Sequence, residues 1–327
     1  MAAEIRKEFK TGKAYSLFLR SSIYLALILP VILWGSSFVA TKIVLESFTT
    51  ISYMFVRFAG ASFFFGLLLL FQRTKALDVK THGQLALLAL FQPVLYFLFE
   101  TTGLQLTSAS SASMIIAGVP AAASLMASIF LQERLNKREW TGIVLSVAGV
   151  LLLALFDDNP QYAESSLPGN ALVFLAVISA AAYMILARRL TTKISVMNIT
   201  AYQFFYGGLF FLPLFLFQFD TMDWQAIEPI STAALGFLIL FSTVIAFLSY
   251  NYALSQIKTS HAAVFINGIP LVTVVAAGIV LGEQLGHLQL LGGLVIIAGV
   301  TITNLRSASK RQQIKKEFPP SKELGRR

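Results

Sequence analysis

The chain has 327 residues, of which 56% are hydrophobic and only 13% charged, with a mean hydropathy of +0.73. A soluble domain clothes its surface with roughly 25% charged residues, so most of this surface must face something other than water. Cysteine is absent, which excludes a disulfide framework, a thiol nucleophile and a cysteine metal site; the net charge of +9 carries meaning through its placement.

Residues 1–21 hold Arg6, Lys7, Lys10, Lys13 and Arg20, too charged for a cleaved signal peptide. A membrane-spanning helix needs about 20 mostly apolar residues. That window predicts spans near 22–42, 50–71, 83–104, 108–131 and 139–156, then a polar linker over 157–169. Five more follow near 170–188, 197–218, 231–254, 261–281 and 288–306. Residues 307–327 form a basic tail with Pro319-Pro320, read as a disordered cytoplasmic end.

Charge tests this count. With the N-terminus inside, 23 of the 25 Lys and Arg fall on one side, leaving only Lys42 outside and Arg57 within a span. Glu46, Asp157, Asp158, Glu164, Asp220, Asp223 and Glu228 collect outside. The positive-inside rule then predicts ten transmembrane helices in a cytoplasmic (inner) membrane, with both termini cytoplasmic. Dropping or adding one helix scrambles the separation.

A shift of 150 residues aligns the two halves without a gap over 104–150, with 15 of 47 positions identical. Gly118 and Pro120 meet Gly268 and Pro270; Leu131, Glu133 and Leu135 meet Leu281, Glu283 and Leu285. Gly142 and Ala148-Gly149-Val150 meet Gly292 and Ala298-Gly299-Val300. Each half has an odd number of predicted helices, so the second half is expected to be inverted. Inverted repeats suit alternating access, with substrate bound near the midplane where the halves meet.

The stretch Trp34-Gly35-Ser36-Ser37-Phe38-Val39-Ala40-Thr41-Lys42 resembles the EamA-domain signature of the drug/metabolite transporter superfamily, as does Arg57-Phe58. So do the blocks from Pro120 to Gly149 and from Pro270 to Gly299. The likeness covers roughly 22–306 and occurs twice, as a first repeat over 22–156 and a second over 170–306. It implies an all-α carrier of ten transmembrane helices, two inverted five-helix repeats around a central cavity lined by spans 1–4 and 6–9. It also implies substrates among amino acids, metabolites, nucleotide-linked compounds and drugs, without choosing between them.

Gln92, Tyr96 and Glu100 share one face of the third span. The eighth puts Ser242, Ala246 and Tyr250 on the equivalent face, with Asn251 adjacent, and the seventh places Asn198, Tyr202 and Tyr206 on one stripe beside Gln203. Polar groups do not face hydrocarbon cheaply, so these stripes should look inward, either at a cavity or at interhelical hydrogen bonds. Trp34, Ser37 and Thr41 share a face of the first span, where Trp34 is deep for an interfacial anchor. Asn267 lies one turn before Pro270, placed either to meet a ligand or to satisfy a carbonyl freed by the proline.

Arg57 is the one charge deep inside a span, with Glu100 and Lys42 nearer the outer surface. An unpaired charge at such depth is costly. Arg57 and Glu100 are therefore expected to pair, as an outer gate or a substrate anchor, against the alternative of a snorkelling arginine and a solvated glutamate. Glu133 and Glu283 end their spans beside the start of the next helix, where exposed N–H groups favour a carboxylate; with Pro120 and Pro270 they read as structural. Ser108, Ser110, Ser111 and Ser113 enter the fourth span, mainly for packing. The glycine stripes at Gly142, Gly149, Gly292 and Gly299 read as scaffold or a dimer face.

His82, His261 and His287 have no companion at metal-ligand spacing, and no nucleotide or catalytic motif appears. No cofactor, metal or nucleic acid is expected, and the chain is not read as an enzyme. The expected partners are a small-molecule substrate, the lipid bilayer, a proton or counter-substrate, and at most a second copy of the chain. The expected function is secondary active transport of small organic solutes, amino acids or related metabolites foremost, with export as a candidate direction. The alternatives are nucleotide-linked or phosphorylated metabolites, or a non-transporting membrane receptor.

Overall fold

The structure is a computed structural model that describes residues 13–70, 77–130, 135–155, 166–190, 194–256, 265 and 267–304. Among the described residues there is no strand. The helices are α1 (Lys13–Leu45), α2 (Thr50–Leu70), α3 (Val79–Ala89), α4 (Tyr96–Leu106), α5 (Ala109–Ile116), α6 (Val119–Phe130) and α7 (Lys137–Leu155). After the linker come α8 (Ser166–Leu190), α9 (Val196–Gln218), α10 (Pro229–Phe237), α11 (Ala246–Gln256), α12 (Ile269–Val280) and α13 (His287–Asn304).

Among the described residues, seven helical stretches are long and apolar enough to cross a membrane: Ile23–Leu45, Thr50–Leu70, Val79–Leu106, Ala109–Phe130, Ser166–Ala187, Val196–Thr221 and Pro229–Tyr250. Ile269–Val280 and His287–Thr303 are apolar but shorter. Exposed large hydrophobics such as Phe63, Phe205, Phe217 and Ile279 are what a bilayer-facing surface requires.

The predicted third and eighth spans are not single regular helices. A π-helical turn, Leu90–Leu95, joins α3 to α4, and a second, Leu238–Ile245, joins α10 to α11. A shift of 150 residues places Leu90–Leu95 on 240–245, so the same helix of each half is interrupted at the same register. In the first half the interruption holds Pro93, which has no N–H to give the ladder, and Gln92 adopts an extended backbone (φ −147°, ψ 116°). The second half has no proline there; instead the Thr243 hydroxyl donates to the Leu238 carbonyl at 2.8 Å. Such turns occur often at functional sites.

The halves pack crosswise. The first helix of each lies against the third and fourth spans of the other: α1 meets α10, α11 and α12, while α8 meets α4, α5 and α6. Helices α2 and α9 pack together, and Gly207 of α9 lets Pro93 approach closer than a side chain would permit.

Helices α7 and α13 form the tightest crossing. A Cβ added at Gly149 would stand 2.7 Å from the Gly292 carbonyl oxygen, and one at Gly299 would stand 2.6 Å from that of Gly142. Gly142 thus opposes Gly299 while Gly149 opposes Gly292, so the two helices run antiparallel and the pair of contacts exchanges under the 150-residue shift. Ser146 donates to the Ile296 carbonyl at 3.5 Å, and these two positions are each other's counterparts. The glycine stripes are therefore consumed within the chain, which removes them as a dimer face.

Glu283 caps a helix, but not the one that follows it. Its carboxylate accepts from Ala109 N (2.8 Å), Ser110 N (3.0 Å) and the Ser110 hydroxyl (2.7 Å), closing the N-terminus of α5 in the other half. Ser108 is the N-cap residue of α5, and Ser111 accepts from the Gln289 amide at 3.2 Å. The serine run is explained by these partners. Glu133 lies outside the described residues.

Gly149→Leu is expected to lower the thermal unfolding midpoint in detergent, because overpacking typically costs about 1–3 kcal/mol. Gly236→Leu, where an added Cβ meets nothing within 4 Å, should leave it unchanged. Glu283→Ala should destabilise by about 1–2 kcal/mol, and Ser110→Ala made on top of it should add little.

Candidate substrate site

Helix α2 carries Tyr53 and Arg57 one turn apart, both buried. Arg57 is 2% exposed, a guanidinium sealed among apolar side chains. Its Nε donates to the Thr243 hydroxyl at 3.0 Å, one terminal nitrogen to the Tyr53 hydroxyl, and the other to the Ser242 hydroxyl at 3.4 Å. Thr243 and Ser242 belong to the interrupted span of the second half, so the charge of the first half is docked on the irregular turn of the second. The Phe97 ring lies under the guanidinium, 4.6 Å from its carbon; a desolvated cation–π contact is worth about 2 kcal/mol. Tyr53 in turn shares a 3.1 Å bond with Thr41 of α1.

Glu100 is also buried and accepts from the Tyr96 hydroxyl at 3.3 Å. Every described acceptor of Arg57 is a neutral hydroxyl, and Glu100 makes no direct bond to it. The two charges instead flank Phe97, one turn from Glu100 on α4. Lys42 donates to the Thr107 carbonyl at 2.7 Å.

A second group stands on α1 and α11. Trp34 donates from Nε1 to the Ser242 carbonyl at 3.0 Å, and its ring packs edge-on against Phe247 and Tyr250 with centroids 5.2 and 5.3 Å away. The Ser37 hydroxyl turns back to the Trp34 carbonyl at 2.7 Å. Trp34 and Arg57 thus meet the same residue, Ser242, from α1 and α2.

On α9, neighbouring residues diverge. Gln203 is fully buried; its oxygen accepts from Tyr183 at 3.1 Å while its amide nitrogen has no partner. Tyr202 packs with Tyr206 against His82, whose Nδ1 lies 2.8 Å from the Tyr206 hydroxyl. His82 belongs to α3. Asn267 precedes α12 with its side-chain oxygen buried and unpartnered, and Gln92 sits at the interruption itself. The side chain of Asn251 lies outside the described residues. Pro120 and Pro270 stand in the first turns of α6 and α12, where the missing N–H is harmless.

Three residues around Arg57 were not singled out by sequence: Tyr53, Phe97 and Thr243. Tyr53 could have been found as the hydroxyl one turn from the buried arginine, and Thr243 as the counterpart of Pro93. A separate cleft of about 550 Å³ opens among Thr49, Thr50, Ile51, Gln105, Phe217, Gln218 and Thr221 and shares no residue with this group.

The model of the EamA-like transporter family matches residues 21–155 and again 167–305. The chain belongs to the EamA-like transporter family. The EamA relatives it resembles are named as transporters and not as enzymes. They include the uncharacterized transporter YcxC of Bacillus subtilis, 30% identical with 89% of this chain and 95% of the relative covered. YetK of the same organism, also an uncharacterized transporter, is 26% identical over 86% and 87% of the two chains. A protein of Streptantibioticus cattleyicolor named a probable terminal-alkyne amino-acid exporter is 26% identical over 88% and 95%. A solved crystal structure at 15% identity matches with a TM-score of 0.61, covering 90% of this chain and 99% of the other, which is a likeness of fold. The protein is thus a multi-pass membrane transporter of the EamA type.

If Arg57 is docked as described, Arg57→Met and Thr243→Val should each destabilise the purified transporter. Their double mutant should reveal a coupling of about 1–2 kcal/mol in thermal or denaturant unfolding. Additive effects would show that the two side chains act independently.

Proposed function

We propose that this protein is a secondary active transporter of small organic solutes, with amino acids or related metabolites as the leading class. It would work by alternating access through ten spans in two inverted halves, with both termini cytoplasmic. The observation that carries the reading is Arg57, a fixed buried cation of one half held against the interrupted span of the other. A carboxylate that reached this seam would meet a guanidinium whose described hydrogen-bond acceptors are all neutral hydroxyls, and its ion-pair energy would be large in so dry a place.

Several features support the reading. The exchange of the α7–α13 contacts under the 150-residue shift suits two halves of opposite orientation. Glu100, one turn from the ring under Arg57, is positioned to meet an amino group or to carry a coupling proton. With Trp34 and Tyr250 beside Ser242, the same seam offers apolar rings to a side chain. The exporter name of the Streptantibioticus cattleyicolor relative favours amino acids as cargo and export as direction.

Reconstitution into liposomes tests this. Vesicles preloaded with an unlabelled amino-acid mixture should take up a labelled member by counterflow. Glu100→Gln should keep exchange while losing accumulation driven by a proton gradient. A complete lack of counterflow for every amino acid and metabolite tried would favour a non-transporting receptor.

A further inference from the structure

The interrupted third spans have a feature that the substrate reading does not use. Each carries, within or beside its irregular turn, a backbone carbonyl that accepts a hydrogen bond from a side chain of the first helix of the opposite half. Trp34 of α1 donates to the Ser242 carbonyl at 3.0 Å. Ser179 of α8 donates to the Phe91 carbonyl at 2.7 Å. Phe91 and Ser242 lie within one residue of matched positions under the 150-residue shift. The side chains differ, an indole in one half and a hydroxyl in the other, but donor element, acceptor element and direction of the bond correspond.

We propose that these two bonds are a pair of opposed braces, each half setting the bend of the other half's interrupted span. The proposal rests on the inverted-repeat transport reading above. A π-turn is a place where a helix changes direction at small cost, because its hydrogen bonds are already irregular. A side chain that bonds to a carbonyl of that turn fixes that direction. Both donors sit near the middle of their helices, so the braces act at mid-depth, where the arms on either side pivot.

Inversion gives the pair its consequence. The operation that exchanges the halves also exchanges the two membrane faces. A brace in one half therefore does for one face what its counterpart does for the other. Loosening one should favour opening to one side, and loosening the other should favour the opposite side. The first brace also touches the substrate site, since Ser242 accepts from Arg57 through its hydroxyl and from Trp34 through its carbonyl. The second touches Phe91, two residues before Pro93, against which Gly207 of α9 packs closely.

The chain lacks cysteine, which makes the test direct. Single cysteines at Ser231, buried between α1 and α10, and at Leu85, buried among α3, α8 and α9, would report opening of the two ends. Labelling of intact and inverted vesicles with a membrane-impermeant maleimide gives the rate at each end. Trp34→Phe and Ser179→Ala are expected to change the ratio of the two rates several-fold in opposite directions, and the double variant should return it toward the parent. Ser179→Thr, which keeps the hydroxyl, should behave as the parent and controls for misfolding. Shifts in the same direction, or unchanged rates in variants that remain folded, would overturn the braces while leaving the transport reading intact. Labelling of both positions from the same membrane face would overturn the inverted arrangement and the braces with it.

Discussion

A guanidinium in an apolar interior needs polar partners, and the centre of this molecule is arranged around that need. Arg57 draws hydroxyls from α2 and from the turn between α10 and α11, and it rests on the ring of Phe97. Ser242 and Thr243 lie in the interruption at Leu238–Ile245, where the Thr243 hydroxyl donates to the Leu238 carbonyl and accepts from Arg57. Buried charge, broken helix and the meeting of the two halves are one feature seen at three levels.

Around this centre the helices meet in two kinds of crossing. The α7–α13 crossing brings backbone onto backbone through four glycines, with Ile296 and Leu153 packed against them. Glu283 ties α5 to the loop before α13 by three charge-assisted bonds. The crosswise packing of α1 and α8 instead sets each half against the irregular spans of the other. These crossings too include close backbone approaches, Gly103 of α4 against Gly169 of α8 and Gly35 of α1 against Ile269 of α12.

Much of this was legible in sequence, and the remainder had physical reasons for staying hidden. The repeat register is carried by prolines, glycines and a glutamate that apolar drift does not reproduce, so it transferred to the α7–α13 crossing residue by residue. Arg57 was conspicuous as a lone charge. Its partners were not, because hydroxyl acceptors on another helix leave no periodic trace, and an acidic counter-ion was the simpler expectation. Pro93 hinted at the first interruption, but the second has no proline and showed only in the backbone. Glu283 read correctly as a cap and was assigned to the adjacent helix because the capped helix lies 173 positions away in the chain. On α9 the stripe containing Tyr202 and the neighbouring Gln203 are one residue, about 100° of helix, apart, and that step sends Tyr202 to His82 while Gln203 meets Tyr183.

The central claim is that Arg57 is the anchor for a carboxylate-bearing solute at the seam between halves. Ligand-dependent thermal stabilisation tests it most directly, using free amino acids beside their decarboxylated amines, on the parent protein and on Arg57→Lys. Lysine keeps the charge but loses the planar fork. The account predicts that at least one amino acid raises the parent's unfolding midpoint, that its amine does not, and that the shift is lost in Arg57→Lys. An equal shift from acid and amine, surviving unchanged in the variant, would contradict it.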